Sequence, residues 1–230
     1  MELRCITLTA GTRCQNIVAA KHMITATTDQ SLRRLVNTIV ANDDALFSEL
    51  MDASSALATA SFTQGAARQQ SSQYFIKEIG HYIYAGDTAL HFAAASYHHK
   101  MAEKLIKAGA NVRAKNRRGS EPLHAAAFGN PGSLRWDPIA QAATIVLLIE
   151  AGADPNAQNM DGATPLHRAV RTRCAAAVKA LLEHGADRSR RNKSGSTAIQ
   201  LALHTTGRSG SGSPEAKAQQ EEILVLLQGQ

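Results

Sequence analysis

The sequence predicts an all-α chain, a solenoid of about five stacked helix-turn-helix units with β-turn fingers. Three observations predict it. A nine-residue pattern recurs four times, as GDTALHFAA from Gly86, GSEPLHAAA from Gly119, GATPLHRAV from Gly162 and GSTAIQLAL from Gly195. Its glycines are separated by 33, 43 and 33 residues, and a fixed period of this size marks a stacked array. A second pattern, LIKAGANV, LIEAGADPN and LLEHGADRS, follows the first three copies. The composition agrees: 44% hydrophobic but only 4% aromatic, with alanine and leucine supplying much of the apolar content, suits close helix packing better than a β-sandwich.

Taken in chain order, residues 1–30 form an N-terminal extension in which LRCITLTA reads as a strand or an extended arm, poorly packed. Residues 31–230 form the repeat domain. Its first unit, about 31–85, is degenerate and carries a long insertion: LVNTIVAND is the inner helix and ALFSELMDAS the outer one, with apolar residues at helical spacing. The remaining units are 86–118, 119–161, 162–194 and 195–230. In these, Thr88, Thr164 and Thr197 stand where a helix N-cap belongs. Pro122 and Pro165 take the first helical position, where a missing N–H costs nothing. Glu121 replaces the capping threonine in the unit from Gly119, which predicts a weaker cap or one from Ser120. Leu90, Leu123, Leu166 and Ile199 begin the buried face, and Ala93, Ala126 and Ala169 let helices approach. Gly109, Gly152 and Gly185 end the second helices, where a left-handed residue is wanted.

TPLHxA four times over, followed by LLxxGAD after the first three, at this spacing resembles the ankyrin repeat: a tight turn, two antiparallel helices and a loop. The resemblance covers residues 86–230 directly. It implies that His91, His124 and His167 hydrogen-bond near the turn and tie neighbouring units. It also implies a non-catalytic module that binds a partner protein through turn tips and inner helices. Each unit buries too little alone, so stacking supplies the core.

Three insertions break the pattern. The stretch from about Ser55 to Gly86 holds Phe62, Tyr74, Phe75, Tyr82 and Tyr84, five of the ten aromatics. Its segment YFIKEIGHYIY reads as a short amphipathic helix, and the whole either caps the open end of the stack or offers an aromatic contact surface. NPGSLRWDPI, with the only tryptophan, and TTGRSGSGSPE, a flexible connector, lie between the two helices of their units.

The charge is uneven. Residues 1–85 carry seven basic and seven acidic side chains, and 86–230 carry eighteen and twelve, so the net +6 lies wholly in the second part. That points to an acidic protein partner. The fingers alternate: RAKNRRG and RSRRNKSG have four basic residues each, and DPNAQNMDG between them has two acids and no base. The alternative is an anionic ligand or nucleic acid on the basic tips, with binding that falls steeply with salt. No nucleic-acid motif is present and the acidic finger interrupts the basic ones, which disfavours it.

Other chemistry finds little footing. The recurring histidines share one register and therefore stack along the array instead of converging. No Walker or dinucleotide fingerprint is present. His98, His99 and Glu103 do not make a convergent metal set, so no metal and no cofactor is expected. Cys174 reads as a small buried hydrophobe, with Arg173 and a helix N-terminus as a route to a lowered pKa. Three cysteines without a CxxC pair point to a reducing compartment. TIVLLI, the longest apolar run, is too short to span a bilayer. Together with the alanine-rich composition this suggests a bacterial, cytoplasmic monomer, or alternatively a protein exported without a Sec signal. The candidate contact residues are Arg113, Arg117, Arg118, Asn159, Met160, Arg188, Arg190 and Arg191 on the tips, and Phe92, Arg168 and Arg171 on the inner helices, where each occupies a variable position beside the motif. Arginine and aromatic side chains carry most interface energy.

Overall fold

The computed structural model describes residues 28–67, 71–131, 136–204 and 214–229. The arm 1–27 and the Gly/Ser loop 205–213 lie outside the described residues. The chain is an all-α solenoid of helix pairs. Residues 28–41 (α1) and Asp44–Ala53 (α2) form the first pair. Ala89–Ala95 (α3) and His99–Lys107 (α4) form the second, and Pro122–Ala126 (α5) and Pro138–Glu150 (α6) the third. Pro165–Arg171 (α7) and Ala175–Glu183 (α8), then Ala198–His204 (α9) and Pro214–Gln228 (α10), complete the stack.

The inner helices α3, α5, α7 and α9 pack in one row, and the outer helices α4, α6, α8 and α10 in a second row behind them. One continuous core runs from Leu32 to Leu227. The inner helices α3 and α5 are short and wholly buried, while α7 and α9 keep some residues open, Arg171 and Leu203 among them. That is why α3 and α5 are rich in alanine around one leucine, since small side chains let neighbouring backbones close up. The outer helices are amphipathic and keep Lys104, Lys107 and Lys179 outside. Gly109, Gly152 and Gly185 stop them at φ 92°, 99° and 88°, a left-handed conformation that costs glycine no Cβ clash.

The capping follows the sequence with one exception. Thr164 accepts from the His167 N–H at 3.4 Å. At the third inner helix the cap position is Glu121, whose carboxylate is 1% exposed and makes no hydrogen bond through either oxygen. Lys115 lies 3.8 Å away, and Arg113 also acts on it through space. Burial raises its pKa above the ordinary carboxylate range.

The first insertion is not the helix that its apolar spacing suggests. Phe75–Ile76 (β1) and His81–Tyr82 (β2) pair antiparallel around a turn in which the Gly80 N–H bonds to the Lys77 carbonyl. Gly80 takes φ 60° there, and the aromatics Phe75 and Tyr82 face each other at 4.7 Å. Glycine and cross-strand aromatics override the helical period. Upstream of the hairpin, the Phe62 N–H bonds to the Asp87 carbonyl and the Ala66 N–H to the Ile83 carbonyl. The insertion therefore lies against α3, with Phe62 and His81 packed edge-on against Phe92.

Candidate partner-binding surface

The fingers are built by asparagine. Asn116 Oδ1 accepts from the backbone of Arg118 and Ser120, Asn159 Oδ1 from Asp161 and Ala163, and Asn192 Oδ1 from Ser194 and Ser196. An asparagine side chain folding its own loop in this way is an Asx-type turn, and it repeats with the period of the array. Asn116 also donates to the Asp87 carboxylate at 2.8 Å, joining adjacent fingers. Asn159 is thus a structural residue of its finger as well as a tip residue.

The three motif histidines do what the resemblance implies. Nδ1 of His91, His124 and His167 accepts the backbone N–H of Thr88, Glu121 and Thr164. The ring proton is then on Nε2, which donates to the carbonyls of Ser120, Ala163 and Ser196 in the following finger at 3.0–3.1 Å. Each histidine closes its own cap and ties the next unit. Burial lowers the pKa of His124 to about 4 and lowers that of His167, which keeps both neutral for this role. In α9 Gln200 stands at the histidine position and bonds Thr197 through Oε1 at 2.9 Å. The sequence motif shows the histidines. The finger asparagines were equally visible, as N at the same place in NRRG, NMDG and NKSG.

The candidate contact residues sort into three groups. The first is committed within the chain. Arg117 donates to the Ala66 carbonyl and stacks over Tyr84 at 5.6 Å. Arg188 donates to the Leu227 carbonyl and Arg191 to the Gly195 carbonyl. Arg113 pairs with Asp154 at 3.7 Å, Arg118 with Asp161 at 3.2 Å and Arg190 with Asp187 at 3.6 Å. The alternating finger charge is therefore used in part between fingers. These pairs are half exposed, so each adds little stability and exchanges readily with a partner's charge.

The second group is a correction. Phe92 is 0% exposed. Phe62 and His81 of the insertion cover it, so it belongs to the core and cannot touch a partner. The third group is open. Met160 is 62% exposed at the tip of its finger. Arg171 is exposed and has no hydrogen-bond or acidic partner among the described residues. Arg168 is half-buried: its guanidinium stacks on Phe128 at 5.2 Å, and its Nε is sealed from solvent with no acceptor. Burial, with Arg171 and Arg118 nearby, lowers its pKa.

Other groups are inert. Cys174 is buried and free, and burial pushes its pKa up to about 11, the reverse of an activated thiol. Among the described residues no three His, Cys, Asp or Glu side chains meet as metal ligands. No described helix is long and apolar enough to cross a membrane.

Family comparisons agree with this geometry. A model of ankyrin repeats in many copies matches residues 148–202, one of ankyrin repeats in three copies matches residues 57–136, and a single ankyrin repeat matches residues 118–160. No curated protein matched the chain. Ankyrin repeats are generally protein–protein interaction modules and typically non-catalytic. With the finger asparagines, the capping histidines and two rows of helices in one period, the chain belongs to the ankyrin-repeat family.

Proposed function

We propose that the protein is a non-catalytic module that binds one partner protein through its fingers and the open part of its inner-helix face. The observation that carries this reading is the uneven use of surface charge. The outer helices carry scattered lysines, but the finger edge presents Met160, whose N–H bonds to the Arg118 carbonyl of the preceding finger, and Arg171 is exposed at the far end of α7. An exposed apolar side chain on an arginine-rich edge has the composition of an interface hot spot. The net positive charge of residues 86–230 favours an acidic partner, chiefly through faster encounter and fixed register. The buried free thiol of Cys174 supports a reducing, cytoplasmic setting, and the chain acts as a monomer.

Affinity capture from native lysate, read by mass spectrometry at low and at physiological salt, tests this. The double variant Arg118→Glu with Met160→Asp loses the captured partner while its melting temperature stays within about 2 °C of the parent, because surface changes of this kind move stability little. Undiminished capture by that variant would sink the reading. Captured material that is nucleic acid, lost steeply with salt, would favour the anionic-ligand alternative.

A further inference from the structure

Beside α7 the protein leaves a positive charge that its own residues do not answer. Arg168 stands two positions after the motif leucine Leu166, on the side of α7 that faces the insertion. Its guanidinium lies on the Phe128 ring, its Nε has no acceptor, and no described carboxylate pairs with it. Asp161, the acid that acts on it through space, is already bridged to Arg118. Arg171 follows one turn later on the same helix, also unpaired. His81 of the insertion is close enough to act electrostatically with Arg168, and its Nε2 is likewise buried without a partner. Phe128 in turn lines a cleft of about 900 Å³ whose walls are mixed, with Val40, Ile76, Ile79 and Trp136 beside Lys77 and Glu78; the two arginines stand outside it, Arg168 reaching it only through the Phe128 ring. A desolvated guanidinium over an aromatic ring is costly to keep open and well shaped for a planar anion.

We infer that this place is a subsite for the carboxylate of an acidic peptide segment: Arg168 pairs bidentately with an Asp or Glu of the partner, Arg171 flanks it, and an apolar neighbour of that residue enters the cleft over Phe128. The inference rests on the reading of the chain as a partner-binding module and names the chemistry of one of its contacts. Nucleic acid fits the site less well. A strand needs a row of cations at phosphate spacing, but the acidic finger with Asp154 and Asp161 interrupts the row between the two basic fingers. Arg168 and Arg171 hold no described carboxylate, and the Phe128 ring joins Arg168 to the cleft, which suits one carboxylate and its neighbour.

The test uses an immobilised positional-scanning library of short peptides, in pools with one residue fixed. The protein is compared with Arg168→Gln, Arg168→Met, Arg168→Lys and, as a charge-matched control on the outer helix α8, Lys179→Gln. The parent is expected to retain Asp- and Glu-fixed pools over Asn- and Gln-fixed ones. Arg168→Gln and Arg168→Met should lose that preference by about tenfold or more, Lys at 168 should keep part of it without the planar fork, and Lys179→Gln should keep all of it. The melting temperature of Arg168→Met should equal or exceed that of the parent, since methionine keeps the cover over Phe128 and removes an unanswered charge. An acidic preference that survives in Arg168→Gln overturns the inference, as does displacement of the acidic pools by oligothymidine. Pools retained without acidic preference, or no pool retained, overturn the carboxylate subsite alone. Capture of a folded partner then decides the broader reading separately.

Discussion

At the residue scale Glu121 is the clearest departure from the repeat. Its neighbours in the array carry threonine at this position, and Thr164 shows what the hydroxyl does: it accepts the His167 N–H and reaches Nδ1 at 2.8 Å. Glu121 keeps only the backbone half of that arrangement, through its N–H to His124 Nδ1 at 3.2 Å. Replacement by threonine is expected to stabilise the protein by about 1 kcal/mol at neutral pH. The sign with pH follows from the raised pKa. Because the folded carboxyl holds its proton more tightly than the unfolded one, it weakens the fold as pH rises through the folded pKa. The gain from Glu121→Thr should therefore be larger at neutral pH than at pH near 4. Urea midpoints of both proteins at the two pH values check this, and an equal or inverted difference would show that the carboxylate is well accommodated.

The motif residues were legible in the sequence because each acts locally or on the next unit at a fixed offset. The capping threonines, the first-position prolines and the histidine ties all have this property. Arg117 and Phe92 were not legible as they stand. Arg117 reaches the Ala66 carbonyl and Phe92 is covered by Phe62 and His81. Those contacts depend on how the insertion folds back, which no repeat period encodes.

At the element scale the insertion is the part that most individualises this array. Its apolar spacing fitted a helix, yet Gly80 and the Phe75–Tyr82 pair made a hairpin. It lies against α3 of the second unit, is tied to α1 through Thr63 and Asp29, and meets the next finger through Arg117. Two consequences follow for the candidate site. The insertion removes Phe92 from the surface, and it forms one wall of the cleft that Phe128 lines. Its seating depends on close backbone approach at Gly65, where a Cβ would fall 2.5 Å from the Ala85 nitrogen and 2.6 Å from the Tyr84 backbone. Those are main-chain atoms and cannot swing aside. Gly65→Ala is expected to lift the insertion, with a loss on the order of 2 kcal/mol and faster amide exchange in residues 62–66 and 83–87. Unchanged exchange there would contradict the seating described here.

At the scale of the whole molecule the buried histidines set the response to acid. Burial holds His81 and His124 near pKa 4 and lowers His98 and His167. Unfolded histidine titrates near 6.5, so between about pH 6.5 and 4 the unfolded chain binds more protons than the folded one. Stability is then full above about pH 7 and falls through that window, by on the order of 3 kcal/mol each for His81 and His124. Glu121 acts in the opposite direction and offsets part of the fall. Denaturant melts across the window should show the midpoint dropping toward pH 4. A flat profile would mean that the inter-unit ties do not depend on neutral imidazole.

The same ties make the array one body with a defined working face: outer helices behind, and fingers with the open part of α7 in front. The central claim is that a partner protein docks on that front. Hydrogen exchange of the protein with and without its captured partner tests it most directly. The account predicts protection in the fingers around 113–119, 154–162 and 188–195 and in α7, with α4, α6 and α8 unchanged. Protection confined to the outer helices, with the fingers and α7 exchanging as in the free protein, would contradict it.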